Sequence, residues 1–343
     1  MVPRQSPKSR PNLAIVGATG AVGQELIRCL EQRRFPLGSL RLFASSRSAG
    51  KTMRFAGSDL EVEELNDRSF AGIDIALFSA GGARSREFAP IAVRAGAVVV
   101  DNSSAFRMDP AVPLVIPEVN AAAIHRHSGI IANPNCVAIV AMTPLWPIHR
   151  GNRIRRIVLA SYQAVSGAGA AAMAELIAAT HAYLDGRPFQ NTVLRHPSAF
   201  NLFSHDTKVD PSTGYNEEET KVINETRKIF DDPGLLISTT CIRVPVLRAH
   251  SMALTIECER PIAPDEVRRI LASAPGVRLV DDAESNYFPM PKDASGQDDI
   301  LVGRIRQDVS DPSGRSIALF VSGDQLLKGA ALNAVQIAEH LLH

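Results

Sequence analysis

Short apolar runs alternate with segments of helical periodicity between residues 12 and 104. Four of these runs are continuous, as in strands buried on both faces, and they lie at residues 12–17, 40–44, 73–81 and 96–104. Helical spacing follows the first run, through Val22, Leu26 and Leu30, and separates the last two runs at residues 85–96. This alternation predicts crossover units and hence an α/β fold with a doubly wound, Rossmann-type parallel sheet.

Strands predominate in the chain beyond residue 150. Five strand-like runs lie at residues 155–165, 237–246, 250–259, 300–308 and 316–323. Two helical segments, 171–184 and 264–274, interrupt them, and a further helical segment ends the chain at 328–342. Several strands with few helices predict an α+β domain with a largely antiparallel sheet, one face of which is exposed or turned toward a dimer partner.

Composition and charge exclude several classes of partner. The formal net charge is +1, with 45% hydrophobic and 21% charged residues, which is typical of a soluble globular protein and gives no electrostatic basis for binding nucleic acid or an anionic membrane. No apolar stretch approaches the roughly 18 residues of a membrane span, and the basic N-terminus lacks the apolar core of a signal peptide. Without a predicted span or signal peptide, we expect a cytoplasmic location. The four cysteines form no C-x-x-C pair, so we predict no metal site.

The glycine-rich segment GATGAVG follows the first predicted strand and opens the first predicted helix. In this context glycines let the backbone approach a pyrophosphate, which the helix N-terminal amides stabilise. A tight turn without a ligand is the alternative. The predicted cofactor contacts in this turn are Gly17, Thr19, Gly20, Ala21, Val22 and Gly23.

The end of the second strand indicates which dinucleotide binds. An NAD site usually has an acidic residue there for the ribose hydroxyls, whereas an NADP site has positive charge for the 2′-phosphate. The segment ASSRSAGK contains no acid, and its Ser45, Arg47 and Ser48 suit a phosphate group. A solvated polar loop remains the alternative, but the pattern favours NADP.

The segment NPNC precedes an apolar, helix-like run. Asn135 is a favourable N-cap residue, so we expect Cys136 in the first helical turn, where the positive end of the helix dipole favours a thiolate. The other three cysteines lack this setting and are interpreted as small buried hydrophobes. Cys136 is therefore the predicted nucleophile, and it needs an acid/base partner. His250, at the junction of two strands, is a candidate, with a structural strand-end histidine as the alternative.

These segments belong to a longer ordered series. The motifs are GATGAVG, ASSRSAGK, FSAGG, VVVDNSSAFRMD, PLVIPEVN, NPNC, SYQAVSGAG, EEETK, RVPVLRAHS, VGRIRQD and GDQLLKGAA. From about residue 12 to the C-terminus, their order and approximate spacing resemble those of aspartate-semialdehyde dehydrogenases. Many motifs in one order are far more specific than a single glycine loop.

The resemblance implies roles for individual residues. Cys136 is similar to the nucleophile that forms an acyl-enzyme, His250 to the acid/base, and Gln163 to the residue that orients the acyl intermediate. The implied substrate contacts are Arg243 for the α-carboxylate, Glu218 for the amino group, Arg107 and Lys221 for the phosphate, and Asn135 beside the thiol. Implied cofactor contacts, besides the glycine turn and Ser45, Arg47 and Ser48, are Ser166, Gly167 and Gln325.

The resemblance also implies the activity and the domain plan. The expected reaction is the NADPH-dependent reductive dephosphorylation of L-4-aspartyl phosphate to L-aspartate 4-semialdehyde through a Cys136 thioester, in lysine (diaminopimelate), methionine and threonine biosynthesis. We expect an NADP-binding domain over residues 1–133, with a disordered tail at 1–11 and a C-terminal helix at 325–343 packed back on it. The catalytic and dimerisation domain then spans residues 134–324, in a homodimer or a tetramer.

Two departures from the family pattern keep alternatives open. Val137 and Ala138 stand where hydroxyl residues usually follow the cysteine, and Ala249 stands where glycine usually precedes the histidine. An acyl-phosphate reductase for another substrate, such as N-acetylglutamyl phosphate, is the second enzyme hypothesis. A non-catalytic relative acting as a binding partner is the third, and the Val137–Ala138 pair is its only support.

Overall fold

The computed structural model describes residues 9–342, and the chain divides into two compact units. The first unit combines the chain up to Pro134 with the chain from Ala330 onward. The second unit is the segment between them, Asn135–Gly329. Residues 1–8 of the expected tail and His343 lie outside the described residues. At the end of that tail, Arg10 donates to the Leu37 carbonyl at 3.1 Å and the Pro11 carbonyl accepts from the Gly38 amide at 2.8 Å.

The first unit contains a seven-stranded sheet. Its strands are β1 (Asn12–Val16), β2 (Ser39–Ala44), β3 (Thr52–Phe55), β4 (Ser58–Glu64), β5 (Ile75–Phe78), β6 (Val98–Asp101) and β7 (Ile130–Ala132). The order is β3-β4-β2-β1-β5-β6-β7, with every neighbouring pair parallel except β3–β4. The doubly wound sheet is confirmed. The hairpin β3–β4 and the three-residue β7 were absent from the prediction because they are mostly exposed or too short to form an apolar run.

Helices α1 (Ala21–Gln32), α2 (Gly82–Arg94) and α3 (Pro117–Asn120) belong to this unit. Its core includes Val16, Phe43 and Phe78 from three sheet strands, with the Phe70 ring stacked on Phe78 at a centroid distance of 5.9 Å. This packing fixes the carboxyl ends of the strands, where ligands bind in open α/β sheets.

The second unit contains a sheet of order β12-β13-β14-β11-β8-β10-β9. Its strands are β8 (Ile154–Gln163), β9 (Phe203–Ser204), β10 (Leu236–Arg243), β11 (His250–Cys258), β12 (Val277–Leu279), β13 (Ile300–Gln307) and β14 (Ser316–Gly323). The pairs β8–β10 and β12–β13 are parallel and the other four are antiparallel. The predicted α+β, largely antiparallel domain is therefore confirmed.

The helices of this unit are α4 (Cys136–Gly151), α5 (Ala170–Leu184), α6 (Glu217–Phe230), α7 (Pro264–Ala272) and α8 (Pro291–Ala294). The two predicted helices among these strands are α5 and α7, and the prediction missed α6 and the four-residue α8. Helix α6 is the larger omission. Its charged residues obscure the apolar periodicity, although a capping box marks its start: Asn216 accepts from the Glu219 amide, and the Glu219 carboxylate accepts from the Asn216 amide, both at 2.9 Å.

The C-terminal segment begins with a π-helical turn, Leu327–Ala331, followed by α9 (Leu332–His340). Regular helix thus starts later than the expected residue 325. Helix α9 belongs to the first unit, in which Glu339 forms a two-pronged ion pair with Arg33 at 2.7 Å. Among residues 9–342, none of the helices has both the length and the apolar character to cross a membrane.

Candidate active site

The glycine turn between β1 and α1 brings two backbone segments into contact. Gly17 has φ +89°, and a Cβ atom there would lie 2.3 Å from the Ser79 carbonyl oxygen. A Cβ atom at Gly23 would lie 2.2 Å from the Gly17 carbonyl oxygen. Both positions therefore require glycine, as a dinucleotide-binding turn does. Helix α1 then starts at Ala21 after Gly20, so no side chain covers its first amides from the N-cap position.

The loop after β2 lies beside this turn. The Thr19 hydroxyl is 3.4 Å from the Ser48 hydroxyl, and the Ser48 amide donates to the Ser45 carbonyl at 2.8 Å. Ser45 and Arg47 are exposed. The structure thus brings the two predicted halves of a dinucleotide site together, and the Arg47 guanidinium in this loop faces solvent.

Cys136 is the first residue of α4, and Asn135 is its N-cap. The Asn135 Oδ1 atom accepts from the amides of Val137 at 2.8 Å and Ala138 at 3.3 Å. These capping bonds involve only the backbone amides of Val137 and Ala138, and the side chains of both residues are fully buried. The helix cap therefore forms without hydroxyl side chains at these two positions.

Cys136 is half-buried, whereas Cys29, Cys241 and Cys258 are buried. Burial raises the pKa of the Cys241 thiol to about 12 and that of Cys258 to about 12. Those two thiols remain protonated at neutral pH, which makes them poor nucleophiles. Cys136 alone among the four combines access with a helix N-terminus.

Two buried carboxylates of α6 hold the Asn135 cap. Glu225 accepts from the Asn135 backbone amide at 2.6 Å, and the Glu218 Oε1 atom accepts from the Asn135 side-chain amide at 2.8 Å. The same Glu218 oxygen accepts from Gln163 Nε2 at 3.3 Å, and the other lies 3.7 Å from Lys221 Nζ. Asn135, Gln163, Glu218 and Lys221, four of the predicted site residues, thus form one connected network beside the thiol.

Gln163 and Arg243 end two adjacent parallel strands and face each other in the register of β8 and β10. Strand β11 starts at His250 and runs antiparallel to β8. Its first residue therefore lies at the end of the sheet where β8 and β10 finish. Three residues that are far apart in the sequence are brought together by strand pairing.

The His250 ring is fully buried, and its Nδ1 atom accepts from the Ala164 amide at 3.0 Å. Burial lowers the pKa of His250 well below its ordinary value, and the positive charge of Arg243 lowers it further. The ring is therefore neutral at pH 7, with its proton on Nε2. Within residues 9–342 this Nε2 atom has no hydrogen-bond partner, so its proton is not engaged by any of the described residues.

Arg243 is also buried. Its Nη1 atom donates to the Ala164 carbonyl at 2.9 Å, its Nη2 atom lies 2.9 Å from His205 Nε2, and its Nε atom has no hydrogen-bond partner among the described residues. A Cβ atom at Gly167 would lie 3.3 Å from Arg243 Nη1 and 3.4 Å from His250 Nε2. The short 3₁₀ turn at Val165–Ala168 thus passes directly against both side chains.

The remaining predicted residues fall into two groups. In the second unit, Gln325 Nε2 donates to the Ser166 hydroxyl and Gln325 Oε1 accepts from the Ala249 amide at 2.8 Å. In the first unit, Arg107 is buried and donates to the carbonyls of Asn133 at 2.9 Å and Asn102 at 2.8 Å. No cluster of metal-ligating side chains occurs within residues 9–342.

Three site residues were assigned no role from the sequence: His205, Glu225 and Gly329. His205 lies in no motif. Glu225 lies seven residues after Glu218, on the same face of α6, and a prediction of that helix would have found it. Gly329 interrupts a helical pattern, which often marks close approach, and a Cβ atom there would lie 3.2 Å from the Cys136 Cβ atom.

Ala249 adopts φ +71°, the left-handed conformation that favours glycine. Relief of this strain by Ala249→Gly is worth about 1–2 kcal/mol. Loss of a methyl group that packs with Ala294 and Leu301 costs about 0.8 kcal/mol, and greater freedom of the unfolded chain costs about 0.4–1 kcal/mol. We therefore expect Ala249→Gly to change the free energy of unfolding, measured in urea, by less than about 1 kcal/mol. Ala249→Val, which adds both strain and volume, should lower it by more than about 2 kcal/mol, and equal effects would contradict this account.

Two family profiles match the sequence of this chain, one in each of the two units. The family profile described as "Semialdehyde dehydrogenase, NAD binding domain" matches residues 12–127, and the one described as "Semialdehyde dehydrogenase, dimerisation domain" matches residues 145–328. Together they span most of the chain.

Individual relatives match over nearly their whole length. Aspartate-semialdehyde dehydrogenase of Synechocystis sp. is 52% identical over 330 residues, covering 96% of this chain and 97% of the relative. That of Bacillus subtilis is 46% identical over 338 residues, covering 96% and 97%. The crystal structure of aspartate semialdehyde dehydrogenase II from Vibrio cholerae, complexed with ASA, matches with a TM-score of 0.94 at 44% identity, covering 97% of this chain and 98% of that one. The chain therefore belongs to the aspartate-semialdehyde dehydrogenase family of enzymes.

Proposed function

We propose that the enzyme reduces L-4-aspartyl phosphate to L-aspartate 4-semialdehyde, with release of phosphate, through a thioester on Cys136. The supporting observation is the half-buried Cys136 at the first residue of α4, linked through Asn135 and Glu218 to Gln163. The proposed nucleophile therefore lies next to a hydrogen-bonded network whose carboxylate and amide groups suit an amino-acid substrate.

In the first step the Cys136 thiolate attacks the acyl carbon, and the bond from that carbon to the phosphate oxygen breaks as phosphate leaves with the electron pair. When bound, a nicotinamide cofactor supplies the hydride that reduces the resulting thioester. The carbon–sulfur bond then breaks, which releases the aldehyde and restores the thiolate. The neutral His250 ring donates its Nε2 proton to the acyl oxygen as negative charge develops there, and it takes that proton back when the carbonyl group re-forms and the thiolate leaves.

The charges of the substrate match side chains of the second unit. Arg243 Nε is a buried donor without a partner among the described residues, and a guanidinium suits a planar carboxylate. Glu218 supplies a carboxylate for the α-ammonium group, and Lys221, on the next turn of α6, supplies a cation for phosphate. We propose Arg107 as the second phosphate contact.

The test of this function is the reverse assay. Aspartate semialdehyde, NADP and phosphate are mixed with the enzyme, and the absorbance of NADPH is followed. N-acetylglutamate semialdehyde serves as the competing substrate, because its acylated nitrogen carries no charge for Glu218. A rate with the acetylated compound equal to that with aspartate semialdehyde would overturn the substrate assignment, and no rate with either would overturn the function.

We propose NADP rather than NAD as the cofactor. The glycine turn, the uncapped start of α1 and the contact between Thr19 and Ser48 fit a dinucleotide, and the exposed Arg47 fits the extra phosphate. In the bound state the guanidinium would hold that phosphate while the α1 amides hold the pyrophosphate.

Arg47→Ala is therefore expected to weaken NADPH binding by roughly 1.5–3 kcal/mol, about 10- to 100-fold in Kd, while NADH binding barely changes. Nucleotide fluorescence titration measures both constants. Arg54→Ala, at an exposed arginine of β3, is the matched control and should alter neither constant. Equal losses for the two nucleotides in Arg47→Ala would show that this side chain does not contact the 2′-phosphate.

We further propose that the enzyme is a homodimer and serves lysine, methionine and threonine biosynthesis in the cytoplasm. One face of the second sheet exposes Val158, Tyr162 and Leu236, an apolar surface suited to a second copy of the chain. Sedimentation equilibrium tests this, and a monomer at micromolar concentration would contradict it.

A further inference from the structure

His205 directly contacts the guanidinium of Arg243. It follows β9, its backbone amide donates to the Cys241 carbonyl at 2.8 Å, and its side chain is 10% exposed. Arg243 Nη2 lies 2.9 Å from His205 Nε2. None of the sequence motifs includes His205, and the mechanism above does not use it.

The chemistry of the two groups fixes the protonation state of His205. A guanidinium can only donate, so Nε2 must present its lone pair to Arg243. A neutral imidazole then carries its proton on Nδ1, which faces the Thr207 hydroxyl at 3.3 Å. The Thr207 hydroxyl also accepts from the Glu218 amide at 3.3 Å. One chain of hydrogen bonds therefore connects Arg243 to Glu218, the proposed contacts for the substrate carboxylate and ammonium groups.

We propose that His205 is a positioning residue that orients the Arg243 guanidinium for the substrate α-carboxylate, and that this grip requires the neutral imidazole. Protonation removes the Nε2 acceptor and places a second cation against Arg243. The guanidinium keeps its bond to the Ala164 carbonyl at 2.9 Å and its approach to Asp206 Oδ1 at 3.7 Å but loses the Nε2 contact, so its plane is less firmly held and its donors are less well aligned for a carboxylate. This inference rests on the proposed role of Arg243.

The groups around His205 determine the pH range in which its imidazole is neutral. Burial lowers the pKa of His205 below its ordinary value, and the cations Arg243 on β10 and Lys221 on α6 lower it further. The carboxylates of Glu218 on α6 and Asp206 oppose this shift. His250, at the start of β11, interacts electrostatically with the His205 ring. The pKa of His250 is itself lowered well below its ordinary value by burial, so His250 is neutral as well. His205 is therefore neutral at pH 7, and the grip is lost as the pH falls below the usual histidine value of about 6.5.

The experiment measures kcat and KM for aspartate semialdehyde between about pH 5 and pH 8, at saturating NADP and phosphate. In the wild-type enzyme we expect KM to rise steeply toward the acid end, with a smaller change in kcat. His205→Gln keeps an acceptor near Nε2 that does not titrate, so its KM should lose most of this rise and stay within about threefold of the wild-type value at pH 8. His205→Ala should have a KM about tenfold above the wild-type value at pH 8, and this KM should change little across the pH range.

Ionisation of phosphate and of the substrate is common to all variants, so it cancels in the comparison with wild type. His181→Gln, at an exposed histidine of α5, is the matched control and should keep the wild-type rise. A wild-type rise retained in His205→Gln would overturn the proposal even if His205→Ala failed to fold. Loss of activity in Arg243→Lys together with that result would refute only the role of His205, whereas wild-type kinetics in Arg243→Lys would refute the substrate clamp itself.

Discussion

Cys136→Ala is expected to reduce turnover to below about 1% of the wild-type rate while leaving the fold and NADP binding intact, because no acyl-enzyme can form without the thiol. Cys136→Ser should retain at most a trace, since a hydroxyl is far less ionised than a thiol at neutral pH. Steady-state assay, circular dichroism and nucleotide titration on the same preparations provide the three measurements.

The matched control is Cys29→Ala, which removes a buried thiol of α1 in the first unit. It should keep most of the activity. Iodoacetamide at neutral pH should label Cys136 first, because Cys241 and Cys258 are buried and protonated. Activity above a few per cent in Cys136→Ala would exclude the thioester route, and an unreactive Cys136 would favour a non-catalytic relative.

Arg243→Lys is expected to lower kcat/KM for aspartate semialdehyde by about 10²-fold or more, roughly 3 kcal/mol. Lysine keeps the charge but loses the planar fork and the fixed contacts with the Ala164 carbonyl and His205. Part of the loss should appear in kcat, because a loosely held substrate presents its acyl carbon poorly to the thiolate. Affinity for NADP should be unchanged.

Arg306→Lys is the control for this substitution. Arg306 is exposed on β13, and its Nη1 atom donates to the Arg304 carbonyl at 2.8 Å. Its replacement should have a much milder effect, because a surface arginine contributes little beyond its charge. Wild-type kinetics in Arg243→Lys would mean that Arg243 is a structural residue at a strand end, and the assignment of an amino-acid acyl phosphate would lose its main support.

Local signals in the sequence were sufficient to predict two elements of the candidate site. NPNC predicted a helix start at Cys136, and the structure has that start with Asn135 as its cap. GATGAVG predicted a close turn, and Gly17 and Gly23 have no room for a side chain. Caps and glycine turns depend on a few neighbouring residues, so they can be recognised from sequence alone.

The prediction was weaker where structure depends on distant residues. Only the resemblance to a family grouped Gln163, Arg243 and His250 in the prediction. In the structure, the register of β8, β10 and β11 places them at the same end of the sheet. Helix α6 was missed because its acidic and basic residues dominate the pattern, although Glu218 and Glu225 on it hold the Asn135 cap.

The sequence by itself determined the two fold classes and the helix start at Cys136, and it was enough to predict a nucleophile there and a phosphate-binding loop after β2, because each prediction rests on periodicity or on a short contiguous motif. Only the tertiary structure decided that His250 carries its proton on Nε2, that Ala249 adopts a left-handed conformation, and that His205 contacts Arg243. Burial and hydrogen-bond partners determine these properties, and both depend on segments that are remote in the chain and adjacent only after folding.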